Sequence, residues 1–192
     1  YQVQPGDTIL IHAAAGGVGL IVCQWAKALG ATVIGTVGSD EKAELARQHG
    51  CDHAIVYTRE NVSNRVRELT GGEGVAVVYD SIGKDTFMDS LACLRPMGMM
   101  VTFGNASGPV APFDPGLLGK MGSLFLTRPS LFAYSARRDD LLTMAEDLFA
   151  VVLSGQVRLS INQRFPLQDA ATAHRELEAR RTTGSTVLVP SS

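Results

Sequence analysis

A strand-forming run that passes directly into a glycine-rich turn constrains the fold of this chain more than any other feature. The run Thr8–His12 is apolar and β-branched, and Ala14, Gly16 and Gly19 follow it in the pattern Ala-x-Gly-x-x-Gly. This is the dinucleotide-binding fingerprint with alanine in place of its first glycine. Gly16 allows close approach of a pyrophosphate, Gly19 allows the next helix to pack on the strand, and the first-turn N–H groups face the anion. The sequence therefore predicts a dinucleotide site at this turn.

Segments of strand and helix character alternate regularly after the turn, and each predicted helix is followed by glycine or proline. This alternation predicts an α/β fold, a Rossmann-type doubly wound parallel sheet of six strands. The predicted strands are Thr8–His12, Thr32–Val37, Ala54–Val56, Val75–Tyr79, Met99–Phe103 and Ser123–Thr127. The predicted helices between them are Val18–Leu29, Asp40–Gln48, Asn61–Leu69 and Thr86–Leu94.

The pattern changes beyond the sixth predicted strand. We predict a Rossmann core over residues 1–135 and a C-terminal part over residues 136–192 whose strands need not join the same sheet. Its predicted elements are helix Arg138–Ser154, strand Ser160–Gln163, helix Gln168–Ala179 and strand Ser185–Val189. Within the core, the Gly- and Pro-rich stretch Gly104–Gly119 is predicted to be the longest loop, and loops of that length are usually functional.

Composition argues against several classes of protein. The 192 residues carry a net charge of −2 and are 45% hydrophobic, which lacks the basic excess of a nucleic-acid binder and does not indicate a membrane partner. Cys23, Cys51 and Cys93 are widely spaced, which fits neither a disulfide framework nor a zinc site, so we expect buried or idle thiols and no metal. These features predict a cytoplasmic protein.

The end of the second predicted strand should select the cofactor, because an acidic residue there binds the ribose of NAD, whereas a 2′-phosphate needs room and positive charge. The strand continues into Gly38, Ser39 and, one turn into the next helix, Lys42. We therefore expect NADPH. Two alternatives stay open: Asp40 could turn inward to a ribose, or Ser39 or Asp40 could merely cap the helix while Lys42 is solvated.

Residues at the carboxyl edge of the sheet are the candidates for the nicotinamide end, because ligands of open parallel sheets bind there. Ser81 and Ile82 follow the fourth predicted strand, and Phe103, Gly104 and Asn105 end the fifth. The histidines are weaker candidates. We expect His12 to satisfy its hydrogen bonds locally, and His49 and His53 to flank a solvent-facing turn at Gly50-Cys51.

Five segments together resemble a known family: AAAGGVGLIVCQWAKALGATVIGTVGSDEK, VVYDSIGKDTF, VTFGNASGPV, LTRPSL and GSTVLVP. The chain is similar to the bacterial NADPH:quinone oxidoreductases, the zinc-free, zeta-crystallin-like members of the medium-chain dehydrogenase/reductase superfamily. The resemblance implies the cofactor-binding half of a two-domain enzyme, with a GroES-like catalytic domain before residue 1 and the active site between the two. It also implies that the C-terminal segments return to that domain, so that without it strand Ser185–Val189 could fray or find a new partner.

The resemblance also implies roles for particular residues. Near the pyrophosphate it suggests Gly17 and Val18, with Ala15 and Gly16 beside them. It places Gly38, Ser39, Lys42 and Tyr57 around a 2′-phosphate, and Thr127 and Leu131 at the carboxamide end. Arg180 would reach the adenosine phosphate, although Arg181 could replace it, and both could instead be cations at a helix C-terminus. No residue of this chain is predicted to be catalytic, because the cofactor supplies the reactive atom.

The expected activity is hydride transfer from NADPH to a quinone or a similar electron-poor conjugated carbonyl, with the present chain alone inactive or nearly so. One alternative is an NADPH-dependent enoyl reductase domain of the same superfamily, and another is a non-catalytic NADPH sensor or a structural protein. The resemblance further predicts a homodimer that pairs the edge strand Ser123–Thr127 across a two-fold axis. An unpaired apolar edge strand is in any case a liability.

Overall fold

Six parallel strands form the central sheet in the computed structural model, which describes residues 1–190. Their order is β3-β2-β1-β4-β5-β6, so the winding reverses between β1 and β4, where open α/β sheets bind ligands. The predicted Rossmann-type fold is confirmed. The strands are β1 Thr8–Ile11, β2 Thr32–Val37, β3 His53–Val56, β4 Val75–Asp80, β5 Leu94–Thr102 and β6 Phe125–Thr127.

Helices cover both faces of this sheet because successive strand residues point to opposite sides. Ile9 and Ile11 of β1 pack in one apolar cluster with side chains of the first two helices, and Leu10 packs in a second cluster with side chains of the next two. The helices are α1 Gly17–Ala28, α2 Asp40–Gln48, α3 Val62–Leu69, α4 Phe87–Cys93, α5 Gly116–Lys120, α6 Leu131–Tyr134, α7 Arg138–Leu153 and α8 Ala170–Glu178. Among the described residues, no helix has the length and apolar character needed to cross a membrane.

The C-terminal part forms its own small sheet, as the change of pattern suggested. Strands β7 Ile161–Pro166 and β8 Ser185–Val189 pair in parallel, and a 3₁₀ turn with α8 connects them. Gly184 ties this unit to the core through a bridge to Gly16. Strand β8 is therefore paired with β7 within the chain.

Several predicted bounds differ from the observed ones, and three of these differences have identifiable reasons. Strand β5 begins at Leu94 rather than Met99, because Leu94 already pairs with Val75 ahead of a register shift. Strand β6 begins at Phe125 rather than Ser123, because Ser123 has a φ of +57° and cannot continue a strand. The predicted loop Gly104–Gly119 ends early because α5 begins within it.

Candidate functional site

A cleft of about 180 Å³ opens at the carboxyl edge of the sheet, where β1 and β4 lie side by side. One wall is the turn between β1 and α1, and the other is formed by residues that follow β4 and β5. Five predicted site residues meet in it: Gly16, Gly17, Val18, Ser81 and Phe103. A wider depression of about 570 Å³ beside α6 and α7 contains none of the predicted site residues.

The glycine turn has the geometry of an anion site. Helix α1 begins with Gly16 as its N-cap, no side chain caps it, and its first turn contains no acidic residue, so its N–H groups are open to a ligand. A Cβ on Gly19 would lie 2.3 Å from the carbonyl oxygen of Ala13, which requires glycine there. A Cβ on Gly17 would lie 2.9 Å from the Ser185 hydroxyl oxygen. This cradle fits a dinucleotide pyrophosphate.

Contact between the C-terminal segment and this turn was not predicted. The N–H of Gly184 donates to the carbonyl of Ala15 at 2.9 Å, and the Ala15 side chain is buried. A ligand could therefore contact Ala15 only through its backbone. The glycine at position 184 is the local sequence signal for this contact, because Gly184 has a left-handed φ of +55° and glycine adopts such a φ most readily.

The four residues predicted around a 2′-phosphate lie together in the structure, and Arg180 lies with them. The Lys42 ammonium donates to the carbonyl oxygen of Arg180 at 2.5 Å, and the Arg180 guanidinium lies 3.4 Å from the Tyr57 hydroxyl. The Tyr57 hydroxyl also packs on Gly38, whose Cβ would lie 2.9 Å from it. The Ser39 hydroxyl accepts the Lys42 N–H at 3.4 Å, so the predicted helix cap exists and still leaves the Lys42 side chain at the site.

Two cations converge here. Among the described residues, neither Lys42 nor Arg180 has a carboxylate within salt-bridge distance. Burial, and after it the nearby Arg180 guanidinium, lowers the pKa of Lys42. Because like charges repel unless an anion sits between them, this pair suits a phosphate group.

Two residues that the sequence left open as alternatives are paired with other side chains. Both Asp40 oxygens are engaged by the Arg59 guanidinium at 2.5 and 2.6 Å, a contact that also lowers the pKa of Asp40. Asp40 is therefore turned away from a ribose position. Arg181 is likewise engaged by Glu176 at 2.6 and 2.7 Å, so Arg180 is the arginine of the two that contacts Lys42 and Tyr57.

At the edge of the sheet where the nicotinamide end was predicted, the turn after β4 packs on the loop after β5. A Cβ on Gly104 would lie 2.3 Å from the Ser81 carbonyl oxygen, and the carbonyl of Ile82 accepts the N–H of Ser107 at 2.8 Å. Asn105 lies against Gly83 in the same contact. Thus Ile82, Gly104 and Asn105 support the cleft from behind rather than line it. The two residues predicted at the carboxamide end, Thr127 at the end of β6 and the 72% exposed Leu131, also lie outside the lining.

Arg128 and Asp80 are two residues of this region that sequence analysis missed. Arg128 donates to the carbonyl oxygens of Thr102 and Gly104 at 3.1 and 2.9 Å, which fixes the loop after β5. Asp80 is fully buried and accepts the N–H groups of Ile82 and Gly83. An aspartate at a strand end with glycine three residues later is a turn signal that could have indicated Asp80.

The histidines and thiols have mainly structural surroundings. His12 is 3% exposed and bonds to Thr36 and Ser90, partners remote in sequence rather than the local ones expected. His53 is exposed as predicted, whereas Cys51 is buried against the core, so the predicted solvent-facing turn was wrong there. All three thiols are buried and free. Within residues 1–190, no three His, Cys, Asp or Glu side chains form a group that could hold a metal ion.

Comparison with known proteins relates this geometry to a family. The model of the family described as zinc-binding dehydrogenase matches residues 17–148. A quinone oxidoreductase of Pseudomonas aeruginosa is 58% identical over 99% of this chain and 58% of its own length. A 2-haloacrylate reductase of a Burkholderia species is 51% identical over 99% of this chain and 57% of its own.

A solved structure carries the same fold. The crystal structure of Escherichia coli quinone oxidoreductase complexed with NADPH superposes with a TM-score of 0.95 at 48% identity, covering 99% of this chain and 59% of that one. This chain thus spans a little under three fifths of the length of the relatives it matches.

Proposed function

Because this chain belongs to the zinc-binding dehydrogenase family, we propose that it binds NADPH and supports hydride transfer to a quinone in a longer protein of which it forms the cofactor-binding part. The quinone oxidoreductases that resemble it, one of them crystallised with NADPH, support this assignment. A cytoplasmic location is part of the proposal, since free thiols are typical of a reducing compartment.

The observation that carries the choice of NADPH is the contact among Lys42, Arg180 and Tyr57. The Lys42 ammonium donates to the Arg180 carbonyl and the Arg180 guanidinium donates to the Tyr57 hydroxyl, which packs on Gly38. Two cations and a hydroxyl therefore lie near one another beside this glycine. A 2′-phosphate at that position would replace the repulsion between the cations by two charge-assisted interactions. Since Asp40 is engaged by Arg59, it does not compete for the ribose.

The residues of this chain would bind and orient the cofactor. The first turn of α1, opened by Gly16 and Gly17, would bind the pyrophosphate, and Ser81 and Phe103 would position the ring-bearing end across the cleft. When bound, NADPH supplies the hydride, two electrons and one proton, that reduces the substrate. The protein contributes position and the exclusion of water, and neither requires an acid or base from this chain.

The substrate pocket is proposed to lie against a catalytic domain in the longer protein. Helix α7 supports this, because none of its 16 residues is buried and Leu142, Phe149 and Leu153 are exposed. A helix with apolar side chains and no buried face needs a covering partner. The C-terminal segments, which already contact the core through Gly184 and Gly16, would also contact the catalytic domain at this interface.

A homodimer through β6 is the second proposed partner. This strand lies at the edge of the sheet, and Phe125 and Leu126 are 57% and 36% exposed. Light scattering at micromolar concentration should give twice the chain mass of 20.4 kDa. Leu126→Lys should reduce it to one chain, whereas Leu177→Lys, on the exposed face of α8, should not. A monomeric wild type would refute the dimer.

Reduction of a conjugated alkene is the second candidate reaction. The 51% identity to a 2-haloacrylate reductase favours it, since haloacrylates and quinones both accept a hydride at an electron-poor carbon. Assays of a full-length protein containing this chain, with a quinone and with a 2-haloacrylate, separate the two. Residues 1–192 alone should show no turnover with either substrate.

Calorimetric titration with NADPH and NADH tests the cofactor assignment. NADPH should bind more tightly, and Lys42→Ala should weaken NADPH about tenfold or more while leaving NADH nearly unchanged, because one charge-assisted contact is worth about 1.5–3 kcal/mol. Lys120→Ala, an exposed lysine on α5, is the matched control and should change neither affinity. Equal binding of NADH and NADPH by the wild type would contradict the assignment.

A further inference from the structure

Asp80 ends β4 with a carboxylate that is 0% exposed and accepts four hydrogen bonds. Its Oδ1 accepts the backbone N–H groups of Ile82 at 2.7 Å and Gly83 at 3.1 Å. Its Oδ2 accepts the hydroxyls of Thr86 at 2.7 Å and Ser90 at 3.0 Å. Every partner is a neutral donor. The carboxylate therefore fixes the turn that directly follows β4.

The hydrogen-bond chain continues from Ser90 to the other wall of the cleft. His12 Nε2 lies 2.9 Å from the Ser90 hydroxyl, and His12 Nδ1 lies 2.9 Å from the Thr36 hydroxyl. Since Ser90 donates its single proton to Asp80, its oxygen must accept from Nε2–H of His12. Nδ1 of the neutral ring then accepts from Thr36. Burial lowers the pKa of His12, which agrees with the neutral form.

This network joins the two walls of the cleft. His12 lies on the side proposed for the pyrophosphate. Ser81 lies on the side proposed for the nicotinamide, and the hydrogen bond from the Ile82 N–H to Asp80 fixes the backbone on both sides of it. Ser81 in turn supports the loop after β5, because its carbonyl accepts the N–H of Ala106 at 3.1 Å. A change at Asp80 would thus shift the nicotinamide side and leave the adenosine cluster in place.

A structural role alone does not account well for a charged group at this position. Within the described part of the chain, no Lys, Arg or His lies within salt-bridge distance of Asp80. Burying a carboxylate without a cation is costly, and an asparagine could hold the same two N–H groups through one oxygen. Only a carboxylate can accept hydrogen bonds on both oxygens at once. In this way Asp80 couples the turn to Ser90 and, through Ser90, to His12.

We propose that Asp80 is a positioning residue that holds Ser81 and the adjoining loop in register with the nicotinamide half of the bound cofactor. This inference rests on the proposed binding of NADPH. It goes further, because Asp80 does not line the cleft and yet would affect the binding of only the nicotinamide half of the cofactor.

The test compares two ligands in each variant by calorimetry: NADPH and 2′-phospho-ADP-ribose, which lacks the nicotinamide ring. Asp80→Ala should weaken NADPH at least fivefold and the ring-free ligand less than twofold. Asp80→Asn, which keeps an oxygen for the two N–H groups, should recover part of the loss. Asp85→Ala removes an exposed carboxylate from the same loop and should change neither affinity.

Each outcome supports or overturns the inference. Equal loss for both ligands, or no loss for either, overturns it, because a general weakening of the fold would not distinguish them. If Asp80→Ala does not fold by circular dichroism, Ser90→Ala decides the question, with a smaller but equally selective loss expected.

Failure of the proposed function would appear in the wild type. If wild type binds neither ligand, both proposals fail. If it binds the two ligands equally tightly, NADPH binding stands, but the nicotinamide side makes no contact and the role of Asp80 is overturned.

Discussion

Replacing Gly19 by alanine should loosen the junction of strand and helix at the cofactor turn. The added Cβ would lie 2.3 Å from the Ala13 carbonyl oxygen and 2.7 Å from two backbone atoms of Ala14. Ordinary contact begins near 3.4 Å, so α1 must move about an ångström away from the turn. Backbone atoms cannot rotate aside as a side chain would.

The size of the effect follows from what that movement disturbs. Helix α1 buries Leu20 and Cys23 against the sheet, and overpacking at such a site costs about 1–3 kcal/mol. Alanine regains up to about 1 kcal/mol of helix propensity. Because the clash is with backbone and moves a whole helix, we expect the upper end, a net loss of about 2 kcal/mol in the free energy of unfolding.

Urea unfolding followed by circular dichroism measures this loss. With a slope of about 2 kcal/mol/M, the midpoint should fall by about 1 M. Gly17→Ala is the matched control on the same helix, since its nearest contact is the movable Ser185 hydroxyl, and its midpoint should fall by less than half as much. A Gly19→Ala midpoint equal to that of wild type, or an equal effect of Gly17→Ala, would refute the reasoning.

Four further predictions concern single groups. Gly119→Ala, inside α5 with open space around its Cβ position, should stabilise the chain by about 0.5–1 kcal/mol in the same urea assay. Burial lowers the pKa of His12 below 6.5 in the folded chain, so stability should be full above pH 6.5 and fall below it by up to about 1.4 kcal/mol per pH unit; His12→Gln should flatten that slope. The pKa of Lys42 is lowered from its usual 10.5 in the free chain and a bound phosphate would raise it, so NADPH affinity measured by calorimetry should fall as the pH rises toward 10.5, and Lys42→Arg should remove the fall. Burial raises the pKa of Cys93 to about 12, so iodoacetamide at pH 8 should leave it unmodified in the native chain and alkylate it in urea, as peptide mass spectrometry would show.

The sequence by itself determined the features that depend on neighbours along the chain. The glycine pattern after Thr8–His12 predicted the turn between β1 and α1, because close approach needs a missing Cβ at fixed spacing. Alternating strand and helix segments predicted the parallel sheet, and β2 and α2 were predicted to the residue. Such features are local, so a linear pattern contains them.

The bounds that sequence analysis missed depended on pairing. Leu94 belongs to β5 only because Val75 lies opposite it. The bounds of β8 were predicted, but its pairing with β7 was not. Neither partner is visible from the run of residues itself, since strand order is a property of the assembled sheet.

Tertiary structure alone decided which side chains meet at the site. Lys42 and Arg180 are 138 residues apart, and Asp40 was a plausible ribose ligand until Arg59 engaged it. The turn signal at Asp80 accounts for only the two N–H groups it accepts, because its hydroxyl donors Thr86 and Ser90 lie beside and on α4. Charge pairing and burial depend on distances in space, and the fold sets these only after the local elements have packed together.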